Sequence, residues 1–266
     1  MSPTVYLISG ANRGIGLAIT AALAARPDTV VFAGARNPST ATELQALSRS
    51  MPSNVHIVKL ASADEEDHKA AVDQIKKDVG RLDVVIANAG QVFALPSASP
   101  PLTTEKNPGI NDAYASIFDT TPDEVREHFN VNVVGPQVLF RATYPLLKAS
   151  TAAPKFVVIS SLSGSVALGP GMHVLNGAYA VSKAAVNYLA RMLHFENEGL
   201  VCFPMHPGLV ETDMMKAFVA KDDTLKDFPL ISTVDSAAGI IKVVAESTRE
   251  KDGGEFVSYD GSRLEW

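Results

Sequence analysis

Two patterns of apolar and polar positions alternate along the chain. Short runs rich in β-branched residues fall at 4–9, 29–35, 54–60, 82–87, 155–160, 200–205 and 255–258. Longer stretches of helical character lie between them at 15–26, 40–50, 65–79, 122–150, 178–198 and 234–246. Strands alternating with helices predict βαβ crossovers and a parallel sheet covered on both faces. The strand runs are nearly continuous Val and Ile, as strands buried on both sides are. The predicted fold is α/β, a doubly wound Rossmann sheet of about seven strands, formed as a single domain over residues 1–266. Two segments break the alternation, 91–121 and 213–232. Both follow strands, and ligands in open α/β sheets bind beyond the carboxyl ends of the strands. They are therefore candidate substrate loops.

The first strand runs into "SGANRGIG", with Gly10, Gly14 and Gly16 between Ser9 and a helix. Glycines let a backbone pass close to a ligand, and the free N–H groups of the helix end attract anions. The spacing is GxxxGxG rather than GxGxxG, and the physics is the same. A carboxylate that would hold a ribose 2′-hydroxyl is expected at the end of the second strand. Arg36 stands there instead, and Arg13 lies in the glycine turn. Two guanidinium groups suit a 2′-phosphate, which favours NADPH over NADH.

Tyr179 and Lys183, in "YAVSK", lie four apart at a helix start and share one face. A phenol with a pKa of about 10 needs help to act near neutrality, and a neighbouring ammonium supplies it. Ser160 and Ser161 end the fifth strand run, where a hydroxyl can hold a carbonyl. Asn132 sits mid-helix with Pro136 four positions on, and proline has no N–H to offer the carbonyl of residue 132. That geometry is a candidate anchor for a proton chain.

Taken together and in order, Gly10-x-x-x-Gly14-x-Gly16, "NAG" at 88–90, Asn132, Ser161, Tyr179-x-x-x-Lys183 and "HPGLVETDM" from His206 resemble the short-chain dehydrogenase/reductase superfamily over the whole length. The two chain ends look most like sniffer-type and norsolorinic-acid-ketoreductase-like carbonyl reductases. The resemblance implies hydride transfer between a nicotinamide and a carbonyl or alcohol carbon. It implies Tyr179 as acid, Ser161 polarising the carbonyl, Lys183 holding the nicotinamide ribose and lowering the tyrosine pKa, and Asn132 binding a relay water. It also implies cofactor contacts from Gly10, Asn12, Arg13, Gly14, Ile15, Gly16, Arg36, Asn37, Ala61, Ser62, Asn88, Ala89, Gly90, Tyr179, Lys183, Pro207, Gly208, Val210 and Thr212. Asn88 would line the adenine side. Assembly as a homodimer or homotetramer is a further implication.

The chain departs from the pattern in places. Ala61 stands where the family usually has Asp against adenine, with Ser62 as a possible substitute. The 18 positions between Ser161 and Tyr179 exceed the usual gap, so "VALGPGMHVLNG" is expected to bulge over the substrate. Tyr114 and Phe118 are candidate pocket aromatics, against the more ordinary reading that they pack their loop onto the core. Met214, Met215, Phe218 and Phe228 are candidate lid residues for a hydrophobic ketone, aldehyde or quinone.

Composition mainly excludes. With 266 residues, 46% of them hydrophobic, the chain is long and apolar enough for one large core. A net charge of −6 argues against nucleic acid and anionic membranes as partners. No apolar stretch near the start is long enough for a membrane span, and no signal peptide is evident. The single cysteine, Cys202, fits a reducing, cytoplasmic setting. Six histidines without metal-binding spacing predict no metal site. The rival functions are an NADP(H)-binding redox sensor without turnover and a methyltransferase; the Tyr, Lys and Ser set favours neither.

Overall fold

The computed structural model describes residues 2–90, 116–150, 153–172, 174, 176–220 and 222–266. Seven parallel strands form one sheet: β1 (Thr4–Ile8), β2 (Thr29–Ala35), β3 (Val55–Lys59), β4 (Val84–Ala87), β5 (Lys155–Ile159), β6 (Val201–His206) and β7 (Val257–Ser258). Their order is β3-β2-β1-β4-β5-β6-β7. The chain builds outward from β1 in one direction, then crosses over and builds outward in the other. The reversal between β1 and β4 opens a crevice at the carboxyl edge, where connections on the two sides diverge.

Side-chain alternation along the strands feeds two cores. Tyr6 and Ile8 of β1 pack with Ile19 and Leu23 of α1 (Gly14–Ala24), Leu44 of α2 (Thr42–Ser50) and Ile240 of α8 (Thr233–Glu246). Val5 and Leu7 face the other way, toward Ile75 of α3 (Glu65–Asp78), Leu139 of α5 (Gly135–Lys148) and Val186 of α6 (Gly177–Glu196). Burial on both faces explains the unbroken Val/Ile runs. Asp83 ties the frame at the amino edge, accepting from Val5 N at 2.8 Å and pairing with Arg81 at 3.4 Å.

The structure corrects one predicted element. The continuous helix expected over 122–150 is three pieces: α4 (Pro122–Phe129), a π-turn at Asn130–Val134, and α5. Pro136 cannot donate to the carbonyl four residues back. The ladder slips to the five-residue spacing, with Gly135 N donating to the carbonyl of Asn130. The segment 213–232 also holds order that the sequence reading left out: α7 (Asp213–Val219) and a 3₁₀ turn at Asp223–Asp227. Much of the other loop, residues 91–115, with Tyr114, lies outside the described residues. Phe118 is described and is 93% exposed, so it is not a pocket aromatic.

Candidate active site

The glycine turn between β1 and α1 is built against β4. Gly10 and Gly14 have φ of +66° and +55°, which side chains rarely adopt. A Cβ on Gly10 would lie 2.9 Å from Ala89 Cα, and one on Gly16 would strike Gly10 O and Asn88 Nδ2. At Gly14 a Cβ would have Thr212 Cγ2 at 3.8 Å as its neighbour, so this face of the turn looks onto the crevice. Asn88 Nδ2 donates to Ser9 O at 3.0 Å and to Gly10 O at 3.1 Å. Ser9 Oγ accepts from Asn88 N and Ala89 N, both at 3.0 Å. Asn88, which the resemblance sets on the adenine side, thus clamps the turn with its amide group.

The start of α1 is electrostatically bare. Side chains cap α3, α4, α7 and α8, from Asp64, Thr121, Thr212 and Ser232. Arg13, at the N-cap of α1, makes no such bond, and no acidic residue occupies the first turn. The N–H groups and the positive helix end are available to an anion. Arg13 is exposed and pairs loosely with Asp213 at 4.0 Å. Asn12 lies within this turn, while Arg36 and Asn37 are exposed just past the end of β2. At the end of β3, Ala61 N donates to Asp67 Oδ2 at 3.2 Å, and Asp67 pairs with Lys59 at 2.9 Å. Ser62 packs beside Gly135, whose absent Cβ would lie 3.1 Å from Ser62 Cβ.

Across the crevice, β5 and α6 bring Ser161 and Tyr179 together. Ser161 accepts from Ser163 N at 3.2 Å and shares a hydrogen bond with the Tyr179 side chain. Lys183 lies one helical turn after Tyr179, with Nζ 5.5 Å from the tyrosine ring centroid. Its ammonium donates to Ile159 O at 2.8 Å. Asn132, 1% exposed, donates from Nδ2 to Ser182 Oγ at 3.0 Å, and Ser182 Oγ donates to Tyr179 O at 2.7 Å. The side chains converge on Gly90, where a Cβ would lie 3.5 Å from both Asn132 Oδ1 and Lys183 Nζ. Ser160 is buried and bonded to Asn187 Oδ1, which separates it from its neighbour Ser161.

Burial governs the ionisation of this pair. Desolvation pushes the Tyr179 phenol up to about 12, outweighing the Ser161 hydrogen bond that lowers it. Burial also pulls the Lys183 ammonium down to about 8. The expected lowering of the tyrosine by its lysine therefore does not prevail in the protein alone. Tyr179 carries its proton throughout the neutral range.

A cleft of about 790 Å³, counting its open mouth, runs from Ser161 and Tyr179 to the segment after β6. Ile15, Pro207, Gly208, Val210 and Thr212 line it, as do the expected apolar residues Met214, Met215, Phe218 and Phe228. Met172 and Val174 of the long connection after Ser161 complete the apolar wall, as the predicted bulge requires. Three polar lining residues had no role assigned in the sequence reading: Ser163, Asn176 and His206. Their partners are distant in sequence or sit in irregular backbone; only the place of His206 at a strand's carboxyl end could have drawn notice. Among the described residues, no cluster of three His, Cys, Asp or Glu side chains could hold a metal. Nor is any described helix long and apolar enough to cross a membrane.

Comparison with known proteins agrees with this architecture. Norsolorinic acid ketoreductase of Aspergillus parasiticus is 36% identical over 99% of this chain and 91% of its own. A short chain dehydrogenase of Penicillium aethiopicum is 33% identical over 99% of this chain and all of its own. Among solved structures, NADPH-bound carbonyl reductase from chicken fatty liver superposes with a TM-score of 0.80 at 28% identity, covering both chains fully. Carbonyl reductase Sniffer of D. melanogaster does so with a TM-score of 0.77 at 25% identity, again over both full chains. The model of the short chain dehydrogenase family matches residues 4–223, and the chain belongs to that family of oxidoreductases.

Proposed function

We propose that the protein, one domain over residues 1–266, uses NADPH to reduce a hydrophobic ketone, aldehyde or quinone to its alcohol. The observation that carries this is the Ser161–Tyr179 hydroxyl pair in the lining of an apolar cleft that also takes in Ile15 of α1. The residues present fit a nicotinamide dinucleotide phosphate. Gly14 leaves space at the crevice and α1 offers uncapped N–H groups, while Arg13 in the turn and Arg36 past β2 are exposed and would hold a 2′-phosphate. Asn12, Ile15, Asn37, Ala61, Ser62, Ala89, Gly90, Pro207, Gly208, Val210 and Thr212 would make the remaining contacts. The NADPH carried by the chicken relative supports the same choice.

When bound, the cofactor supplies the hydride that reaches the carbonyl carbon. Ser161 Oγ holds the carbonyl oxygen, and Tyr179 Oη gives that oxygen its proton. A phenol held at about 12 is always loaded for this direction. Lys183 Nζ, fixed on Ile159 O, provides positive charge beside the phenolate left behind and holds the nicotinamide ribose. Asn132 holds the relay water that returns the proton. Met172 and Val174 of the connection after Ser161, with Met214, Met215, Phe218 and Phe228 of the segment 213–232, select apolar substrates. Assembly as a homodimer or homotetramer and a reducing, cytoplasmic setting complete the proposal; Cys202, the one cysteine, is buried.

The test is NADPH oxidation against aromatic, aliphatic and polycyclic carbonyls. Apolar carbonyls are expected to turn over, and turnover of sugars or acyl-thioesters alone would remove the hydrophobic-substrate assignment. Tyr179→Phe is expected to cost about 10²–10⁴-fold in kcat while leaving NADPH affinity within twofold or so. Wild-type turnover by that variant would refute Tyr179 as the acid.

A further inference from the structure

We infer that His206 is a positioning residue for Ser161, because its Nδ1 accepts the Leu162 N–H and so fixes the turn that carries the serine. This inference rests on the proposed role of Ser161 at the carbonyl. His206 ends β6 at the carboxyl edge and lines the cleft, yet is only 8% exposed. The bond from Leu162 N measures 3.2 Å and spans 44 positions of sequence. An imidazole that accepts at Nδ1 keeps its proton on Nε2. Burial supports that neutral form by pulling the ring down to about 4, with Asp260 drawing it partly back.

The backbone that carries the ring is held on its other side. It pairs with Ser258 of β7, and its carbonyl accepts from Tyr259 N at 2.8 Å. The serine turn needs such a reference point, since Leu162–Gly164 is a short 3₁₀ turn with few bonds of its own. A second tie comes from Asn176, whose Nδ2 donates to Ser163 Oγ at 2.9 Å. A third is steric: Gly164 lies against Lys183, where a Cβ would come within 2.6 Å of the lysine carbonyl carbon. Two of these ties lead to α6, which carries Tyr179. The His206 tie leads instead to β6, as does the Ser160 N–Met205 O bond of 2.7 Å on the other side of the serine, so it sets the serine turn against the sheet rather than against the tyrosine helix.

The experiment compares His206→Leu and His206→Asn, each with and without Ser161→Ala, using an apolar carbonyl that the wild type reduces. His206→Leu keeps volume but loses the acceptor, and is expected to lower kcat about tenfold with NADPH Kd preserved. His206→Asn returns an acceptor oxygen near Nδ1 and is expected to recover most of that loss. In the Ser161→Ala background, His206→Leu is expected to add little, because both changes act on one group. An unchanged kcat in His206→Leu overturns the inference. So does a loss of the same size with and without Ser161. Absence of any wild-type carbonyl turnover would instead overturn the proposed function, and this inference with it.

Discussion

At the scale of single residues, the site is ruled by the cost of burying charge. Tyr179 and Lys183 are each driven toward their neutral forms by the same enclosure, the phenol up and the amine down. The ammonium gains a single short bond to Ile159 O rather than a carboxylate partner. His206 obeys the same rule, and its consequence for stability has a definite sign. Its folded pKa lies near 4, below the ordinary 6.5, so the unfolded chain binds the proton more readily. Stability from this group is complete above about pH 6.5 and is lost as pH falls toward 4, by about 3 kcal/mol. Urea unfolding across that range is expected to show a shallower pH slope in His206→Asn than in wild type. The role proposed for Arg36, past the end of β2, concerns a phosphate rather than a proton. Arg36→Asp is expected to lower the NADPH-to-NADH ratio of kcat/KM by at least about tenfold, since charge-assisted bonds to phosphate contribute roughly 1.5–3 kcal/mol. An unchanged ratio would take the 2′-phosphate away from this arginine.

At the scale of elements, legibility followed sequence distance. Tyr179 and Lys183 could be paired on paper because a helix fixes their spacing, and the glycine turn because it joins adjacent elements. Pro136 carried the signal of a broken ladder, but a missing N–H does not say whether the helix kinks, stops or slips to a π-turn. Neighbouring packing decides, and here it delivers Asn132 into the buried network with Ser182. The resemblance set Asn88 on the adenine side but could not show the bonds its amide makes 79 positions back to Ser9. Gly164 tests how tightly the elements are fitted. Gly164→Ala puts a methyl against the backbone of Lys183, so either α6 or the serine turn must shift. A stability loss of about 1–3 kcal/mol is expected by thermal or chemical denaturation, together with a fall in kcat. A variant with wild-type stability and activity would mean the contact is slack.

The whole molecule separates a frame from a rim. The frame was legible almost completely, since its seven strand runs and the helices between them are written in apolar periodicity. The rim was legible mainly where a motif recurs; apolar residues outside the main runs, Met214 lining the cleft and Phe118 exposed, do not by themselves say which one faces it. The surface outside the rim carries one more pattern. Val181, Tyr188, Met192 and Phe195 are exposed along α6, with Tyr188 67% and Phe195 64% open to solvent. They recur at spacings that put them on one helical face. Light scattering is expected to give a dimer or tetramer rather than the 28.2 kDa single chain. Tyr188→Glu with Phe195→Glu is expected to shift the population toward monomer, and a monomeric wild type would remove the expectation.

The central place of β1 has a consequence for the chain while it is being made. β1 is hydrogen-bonded to β2 on one side and β4 on the other. A growing chain can lay β2 beside it almost at once, but 49 residues separate Ala35 from Val84. At synthesis rates of roughly 5–20 residues per second, the other edge of β1 stays open for about 2–10 s. Throughout that interval β1, a strand buried on both faces in the folded protein, has an unpaired edge of the kind that recruits foreign strands. The moment of greatest exposure to aggregation thus falls before the catalytic half of the chain exists.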